Sequence, residues 1–478
     1  EGEASTVESP TISVSPQGRI GATSSVIHED KFLSIQSDVS WNCGGQKQVS
    51  GTHFDGDLTL QPYCELQQNE GRVPSHVSVM NDAKFEAFSW AYVTVLDKGS
   101  PVQGALISVS GASTQTNSEG FASINHPSLV VDSNGETWSG IITLTISANG
   151  LQDSITWDTN VSFEHTFMAS SLPSGTLDSW LILEKQWSPY TLSSSLSLSR
   201  DATLTVQDGV SLRISNGVTI TVNGTMDVGG ATLSSTGSGA RWGGLILGAS
   251  AGASIDLAGT TLVEASPAAT ISGDGSFTAD DSFFARSASE TLITVQAGSN
   301  AEIQLRDSHL QDAGDGCLRT FQSTGTFTLS NVTLTDCGGT GLWARQTPLA
   351  ITDIVLGDGI DQGLDLTGVT GHIDGVHAQS FTGSSSLISM NAVDGTFLLS
   401  DVSGLTGAAG GIVGSENRAL NLQNINLTGA PGIDIDRSAG TITDVHLSGD
   451  GSGTGMVFHH GRSLDTLYLT NLTVEQFS

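Results

Sequence analysis

The segments IDIDR (433–437) and MVFHHGR (456–462) gather carboxylates, imidazoles and guanidinium groups into two short runs. Aligned as neighbouring strands, they set Asp436 beside His459 and Arg437 beside His460. Glu416 and Arg418 end the preceding segment, and Arg462 follows. A carboxylate next to an imidazole is the pairing used in acid–base catalysis and in metal ligation. A salt-bridged corner of a stable fold uses the same residues, and both readings stay open. Arg319, Trp343 and Asp365 form a second group, at nearly even spacing along the chain. An outward Trp between a cation and an anion can stack on a sugar ring, or can lie covered by a neighbouring loop. The Asp-Gly turns GDGIDQGLD (357–365) and SGDGSGTG (448–455) make calcium a candidate ligand. Neither turn follows the nonapeptide or EF-hand pattern.

Four cysteines fall into two local pairs, Cys43/Cys64 and Cys317/Cys337. Neither pair has the spacing of a structural zinc site. Two disulfides are expected; buried thiols are the alternative. Sequons occur at Asn160, Asn223, Asn331, Asn426 and Asn471. Paired cysteines, sequons and acidity together point to an oxidising, extracellular or cell-surface setting. The net charge of −32 argues against nucleic acid and anionic membrane surfaces as partners, since these require Lys and Arg. No apolar run reaches the ~18 residues of a membrane helix, so no membrane insertion is expected in this stretch. Glu1 in place of Met suggests a processed or trimmed start.

The chain is rich in Ser, Thr, Val, Leu and Ile and has 58 Gly, a composition of strands and turns. Its second half repeats. Asp281, Asp307, Asn331, Asp353, Gly375, Asp401, Asn424, Asp444 and Asn471 fall in one column, at intervals that average about 24 residues. Apolar residues stand two before most of these positions, as at Leu305, Leu329 and Ile351, and one after, as at Val332, Ile354 and Val402. Strand alternation has a period of two, whereas these inward positions step by three. The Asx residue therefore marks a corner, where a left-handed backbone turns the strand. In this register Cys317 stands at +10 from its corner and Cys337 at +6 in the next turn. They flank one loop in adjacent rungs, close enough for a bridge. Asn331 and Asn471 are ladder members, where a glycan would break the stack. The better glycosylation candidates are Asn160, Asn223 and, among the rungs, Asn426.

A period of ~24 residues with two or three short strands is a solenoid signature. The repeat resembles the right-handed parallel β-helix, or pectin-lyase-like, proteins across about 191–478. That resemblance implies polysaccharide lyases and hydrolases as fold relatives. The polygalacturonase-type Asn-Thr-Asp and Gly-His-Gly stretches are not found; Gly371-His372-Ile373 only begins like the second. Upstream, Pro101-Val102-Gln103-Gly104-Ala105 and Asn117-Ser118-Glu119-Gly120 resemble carboxypeptidase regulatory-like and other Ig-like spacer domains. The expected architecture is all-β. Residues 1–84 form a β segment of no assigned family, 85–170 an Ig-like β-sandwich, 171–190 a linker, and 191–478 the β-helix. The leading expectation is a non-enzymatic filament, matrix, surface-layer or adhesin-stalk component. Its rung ends incomplete at Ser478, with VEQFS too short to cover it, so head-to-tail self-association through the segment 1–84 is expected. The alternative is a carbohydrate-binding or polysaccharide-degrading β-helix, with surface glycans as partners.

Overall fold

The computed structural model describes residues 19–21, 33–35, 39–42 and 45–477, apart from 70–71, 150, 238, 288–289, 394–396, 430, 450, 452 and 460–465. Among the described residues the one helical element is a 3-10 turn, Lys185–Trp187, and the other regular elements are strands. The chain forms two compact units, Glu1–Ala169 and Ser170–Ser478.

The second unit is a parallel β-helix. Its strands lie in two continuous sheets, one of 20 strands and one of 13. An early turn uses three short strands, such as Thr225–Gly229, Thr232–Ser235 and Leu245–Leu247. From Phe327–Cys337 onward the first two fuse into one bent strand, as in Pro348–Leu356 and Leu420–Thr428. The segment 171–190, expected as a linker, already belongs to this ladder. Gly175–Leu177 and Trp180–Leu183 pair in parallel with Leu196–Leu198 and Thr203–Val206. Leu177, Leu183 and Tyr190 are buried there, so the Ser- and Pro-containing run is a turn within the first rungs.

The bend has a single backbone cause. Asp281, Asp307, Asn331, Asp353, Asp401, Asn424, Asp444 and Asn471 all have φ between 47° and 56°, and Gly375 has φ 85°. This left-handed conformation is tolerated best by Gly, Asn and Asp. It lets two inward side chains flank the corner. In Pro348–Leu356, Ile351 and Ile354 are buried while Thr352 and Asp353 between them are exposed. Corner amides donate to the next rung: Asp281 N to Arg306 O at 3.1 Å, Asp307 N to Ser330 O at 3.0 Å.

Two further left-handed columns run up the solenoid. Gln322, Gln346, Gly368, Ala392, Glu416 and Arg437 form one; Glu264, Arg286, Asp312, Asp336 and Gly359 form the other. The interior between the corners is a continuous apolar stack. Leu329 is 1% exposed, pairs with Leu305 on one side and Ile351 on the other, and Val332 stacks on Ile354. Where the inward position is Ser rather than Val, the hydroxyl bonds along the stack: Ser282 N donates to Ser308 Oγ at 3.2 Å. Cys317 and Cys337 are both fully buried and form a disulfide with Cα atoms 5.4 Å apart. At the last rung Leu469 and Val474 are exposed. Phe477, in the stretch expected to be too short to cover this end, packs against the core beside Gly449 and Gly455.

The first unit begins as a smaller parallel stack. Val39–Asn42, Leu58–Leu60 and Val77–Val79 pair each on the next, as do Gly45–Ser50, Cys64–Asn69 and the start of Lys84–Asp97. Cys64 is disulfide-bonded; Cys43, its expected partner, lies outside the described residues. The long strand Lys84–Asp97 then continues beyond the stack. It pairs antiparallel with Phe121–Asp132 and parallel with Phe163–Met168. A second, antiparallel sheet holds Ala112–Gln115, Leu106–Val109, Ile141–Ala148 and Leu151–Asp158. Val93 and Val95 from the first sheet share a core with Ile107, Leu144 and Ile146 from the second. An Ig-like identity does not follow from this arrangement, because one seven-stranded sheet runs through Lys84 and joins the two regions.

Leu329→Ala should destabilise the solenoid by about 2–5 kcal/mol through the cavity it leaves. Thr328→Ala, on the outward parity of the same strand, should change stability by less than about 0.5 kcal/mol. Denaturant unfolding of both variants checks the register; equal effects would refute it. Replacing Cys317 and Cys337 together with Ser should cost roughly 3 kcal/mol by the same measurement, and no loss would show that the bridge does not constrain the unfolded chain.

Candidate functional site

Outward residues of the 13-stranded sheet line up rung by rung. Arg319 is paired with Trp343 and Trp343 with Asp365 on three successive strands, Gly316–Phe321, Thr340–Arg345 and Gln362–Thr367. The Arg319 guanidinium carbon lies 4.6 Å from the Trp343 ring centroid. Arg345, two positions further along the same strand and hence on the same face, lies 5.0 Å from that centroid. Phe321, below Arg345, is 40% exposed and its ring is 6.0 Å from Trp343. Arg345 Nη2 donates to Asp365 Oδ2 at 2.7 Å, with both side chains largely covered. Burial raises the Asp365 carboxyl above its ordinary value, and the Arg345 charge opposes that rise. A shallow cavity of about 200 Å³ beside the ring is lined by Asp315, Leu318, Arg319 and Thr340. The patch thus offers an indole edge, an exposed phenyl ring and two guanidinium groups on a rigid sheet. The sequence points to Arg319, Trp343 and Asp365; it does not single out Phe321 and Arg345. Their signal is the i, i+2 parity within each strand.

The cluster further along the same sheet keeps the strand alignment expected from the sequence, but its side chains pair differently. Asp436 and His459 are register partners, but His459 Nε2 approaches Asp434 Oδ1, at 3.6 Å. Arg437 reaches Asp436 Oδ2 at 2.9 Å and Glu416 Oε1 at 2.8 Å, and these two carboxylates raise its already high pKa, Asp436 most. Glu416 and Arg437 are consecutive members of a left-handed corner column, so the pair is the side-chain rung of a turn. Every member of this group is at least 36% exposed at the side chain. His460 and Arg462 lie outside the described residues.

The Asx column makes its own side-chain ladder. Asn331 Nδ2 donates to Asp307 Oδ1 and Asn471 Nδ2 to Asp444 Oδ1, each at 2.6 Å, and Asn424 Nδ2 donates to Asp401 Oδ1. Each Asn thus sits one rung after an Asp, and its amide relieves the carboxylate next to it. Where Gly375 leaves a gap, His377 Nε2 stands 3.5 Å from Asp353 Oδ1 and Nδ1 lies 3.1 Å from Ser403 Oγ. In the candidate calcium turn, Asp361 is bonded by Ser384 N and by the hydroxyls of Ser384 and Ser385. The Ser384 hydroxyl is the largest cause of its lowered pKa. Among the described residues no group of three or more His, Cys, Asp or Glu is placed to hold a metal ion, and no helix is long and apolar enough to cross a membrane.

No family model matches this chain, and no curated protein does. Two solved structures are similar to it. The A-module of the mannuronan C-5 epimerase of Azotobacter vinelandii is 11% identical, with 65% of this chain and 90% of that chain covered at a TM-score of 0.31. The catalytic domain of a GH87 α-1,3-glucanase is 10% identical, with 79% and 87% covered at a TM-score of 0.23. Likeness this slight carries no argument about activity, and the solenoid stands on its own strand ladder.

Asp365 generates a pH prediction. A folded carboxyl held above 3.8 keeps its proton after the unfolded chain has lost one. Stability contributed by this group is therefore present below 3.8 and falls as pH rises through the higher folded value. Asp365→Asn should flatten that part of the stability–pH curve in acid-range unfolding. An unchanged slope would mean that the Arg345 pair cancels burial, and a change of the opposite sign that it outweighs burial.

Proposed function

We propose that this is an extracellular carbohydrate-binding β-helix protein that holds a sugar against Trp343, with Arg319 beside the ring to meet acidic substituents and Arg345 held in place by Asp365. The observation that carries the reading is the two guanidinium groups at 4.6 and 5.0 Å from one indole on an otherwise strongly acidic chain. The exposed Phe321 ring and the Trp343 indole edge beside it offer apolar surface to the C–H side of a pyranose, and a guanidinium fork matches a carboxylate or sulfate. The sheet beneath fixes the spacing, since rungs are about 4.8 Å apart, so the patch needs little ordering on binding.

Binding without cleavage is favoured by the carboxylates near the ring. Asp365 lies two rungs from the Arg319 strand, and Asp315 lies in the bend just before that strand. Two rungs separate their backbones by about 9.6 Å along the stack, before any offset along the strand. Paired-carboxylate glycosidases hold the two groups roughly 5 to 9.5 Å apart. Asp365 is also committed to Arg345. The stiff ladder supports the further reading that the solenoid works as a structural stalk presenting this patch.

Affinity electrophoresis through gels containing neutral or acidic polysaccharides tests this. Trp343→Ala should weaken binding at least tenfold, about 1.4 kcal/mol or more, while Asp436→Asn and His459→Ala should leave it unchanged. Retardation of Trp343→Ala equal to that of the parent protein would remove the reading. Loss of chain cleavage in the Asp436 or His459 variants, with folding intact, would move function to that cluster and make the protein an enzyme.

A further inference from the structure

A second feature lies in the first unit. Asn160 begins the sequon Asn160-Val161-Ser162 in the turn between strands Leu151–Asp158 and Phe163–Met168. It lines a cleft of about 600 Å³ together with Val161, Ser162, Phe88, Trp138 and Arg72. Trp138 is 48% and Val161 58% exposed, so the cleft leaves large apolar side chains in water beside a glycosylation motif. The turn is well braced. Asn160 N and Nδ2 both donate to Asp158 Oδ1, at 3.0 and 2.8 Å. Trp157 Nε1 donates to Val161 O at 2.9 Å, and Ser162 Oγ accepts from Trp90 N at 3.0 Å.

The other four sequons are worse placed. Asn331 and Asn471 stand in the corner column with their amides bonded across to the adjoining rung, where a glycan would break the stack. Asn223 has its side chain pressed against Gly248, where an added Cβ would lie 2.1 Å from its oxygen. Asn426 stands inside a continuous sheet, between Ser403 and His446 on the adjoining rungs. Asn160 is the one sequon on an exposed turn, with an open apolar cleft next to it.

We propose that Asn160 carries an N-linked glycan and that the glycan lies in this cleft, covering Trp138 and Val161. The proposal rests on the extracellular setting proposed above and not on the Trp343 patch. In the transfer, Asn160 Nδ2 bonds to the anomeric carbon of a sugar carried on a lipid phosphate or diphosphate. The bond from that carbon to the carrier oxygen breaks, the carrier leaves with the electron pair, and one amide proton passes to the transferase. The remaining Nδ2–H still donates to Asp158, so the turn keeps its brace. The first sugar then starts at the cleft wall, where its apolar face meets Trp138.

Peptide mass spectrometry of the full chain, purified from the organism that makes it, reads the modification. The Asn160 peptide should carry a hexose- or hexosamine-containing mass, and the Asn331 and Asn471 peptides should not. Hydroxyl-radical footprinting of the same protein reads the covering: Trp138 should oxidise severalfold faster in Asn160→Gln, with Trp180 as an exposed control that does not change. An exported protein with unmodified Asn160 overturns the proposal and leaves the Trp343 reading intact. A protein retained inside the cell overturns the setting and the proposal together. A glycan at Asn160 with equal Trp138 oxidation in both proteins overturns the covering of the cleft.

Discussion

A chain can stack on itself in parallel, turn after turn, only if it bends sharply at the same place in every turn with no side chain in the way. In this protein the left-handed residue meets that constraint. Three columns of positive φ run up the solenoid, and the strands between them are the short straight pieces left over. A left-handed corner costs an ordinary L-residue roughly 1–2 kcal/mol, less for Asn and Asp, least for Gly. The solenoid recovers that cost through the continuous backbone ladder and the stacked core. In the Asx column it also gains Asn-to-Asp bonds between rungs, which spread charge along a face that would otherwise be a row of carboxylates.

Function inherits this regularity. Because every rung repeats the last, a residue placed outward on one strand is held beside its counterparts on the neighbouring strands. Arg319, Trp343 and Asp365 are therefore fixed relative to one another by the backbone, and Arg345 and Phe321 by side-chain parity within two strands. The same rule explains why the Glu416–Arg437 pair looks like a site without resembling the Trp343 patch. It occupies a corner, where side chains splay into solvent and pair with one another. Burial separates the two groups: Arg345 and Asp365 are mostly covered, whereas Arg437, Glu416 and His459 are open to water.

Much of the solenoid is legible in the sequence because one corner is written in Asn and Asp, residue types with a backbone reason to be there. One of the other two columns, with Gln322, Gln346, Ala392, Glu416 and Arg437, uses mostly residues without a turn preference, and the other starts on Glu264 and Arg286 before it reaches Asp312, Asp336 and Gly359. The strands between them can be placed from sequence only approximately. The short stack before Lys84 is hidden because its shorter period runs for few turns and its outward columns, Gln46–Glu65–Lys84 and Gln48–Gln67–Glu86, repeat no single residue type. The segment 171–190 reads as a linker for a similar reason: its buried residues are too sparse to show a period. At the candidate site, register finds the partners directly above and below Trp343. It does not find Arg345, which reaches the ring along the strand, and it sets His459 against Asp436 although the imidazole leans diagonally to Asp434.

The central claim is that Trp343 is the residue a sugar touches. With eight tryptophans in the chain, indole N–H resonances can report each ring separately. Titrating the isotope-labelled full chain with acidic oligosaccharides, with the peaks assigned by single substitution, measures contact ring by ring. The account predicts that the Trp343 indole peak shifts in a saturable way while those of Trp138 and Trp180 stay in place. A saturable shift confined to any other tryptophan, or none at Trp343 under conditions where the protein binds, would contradict it.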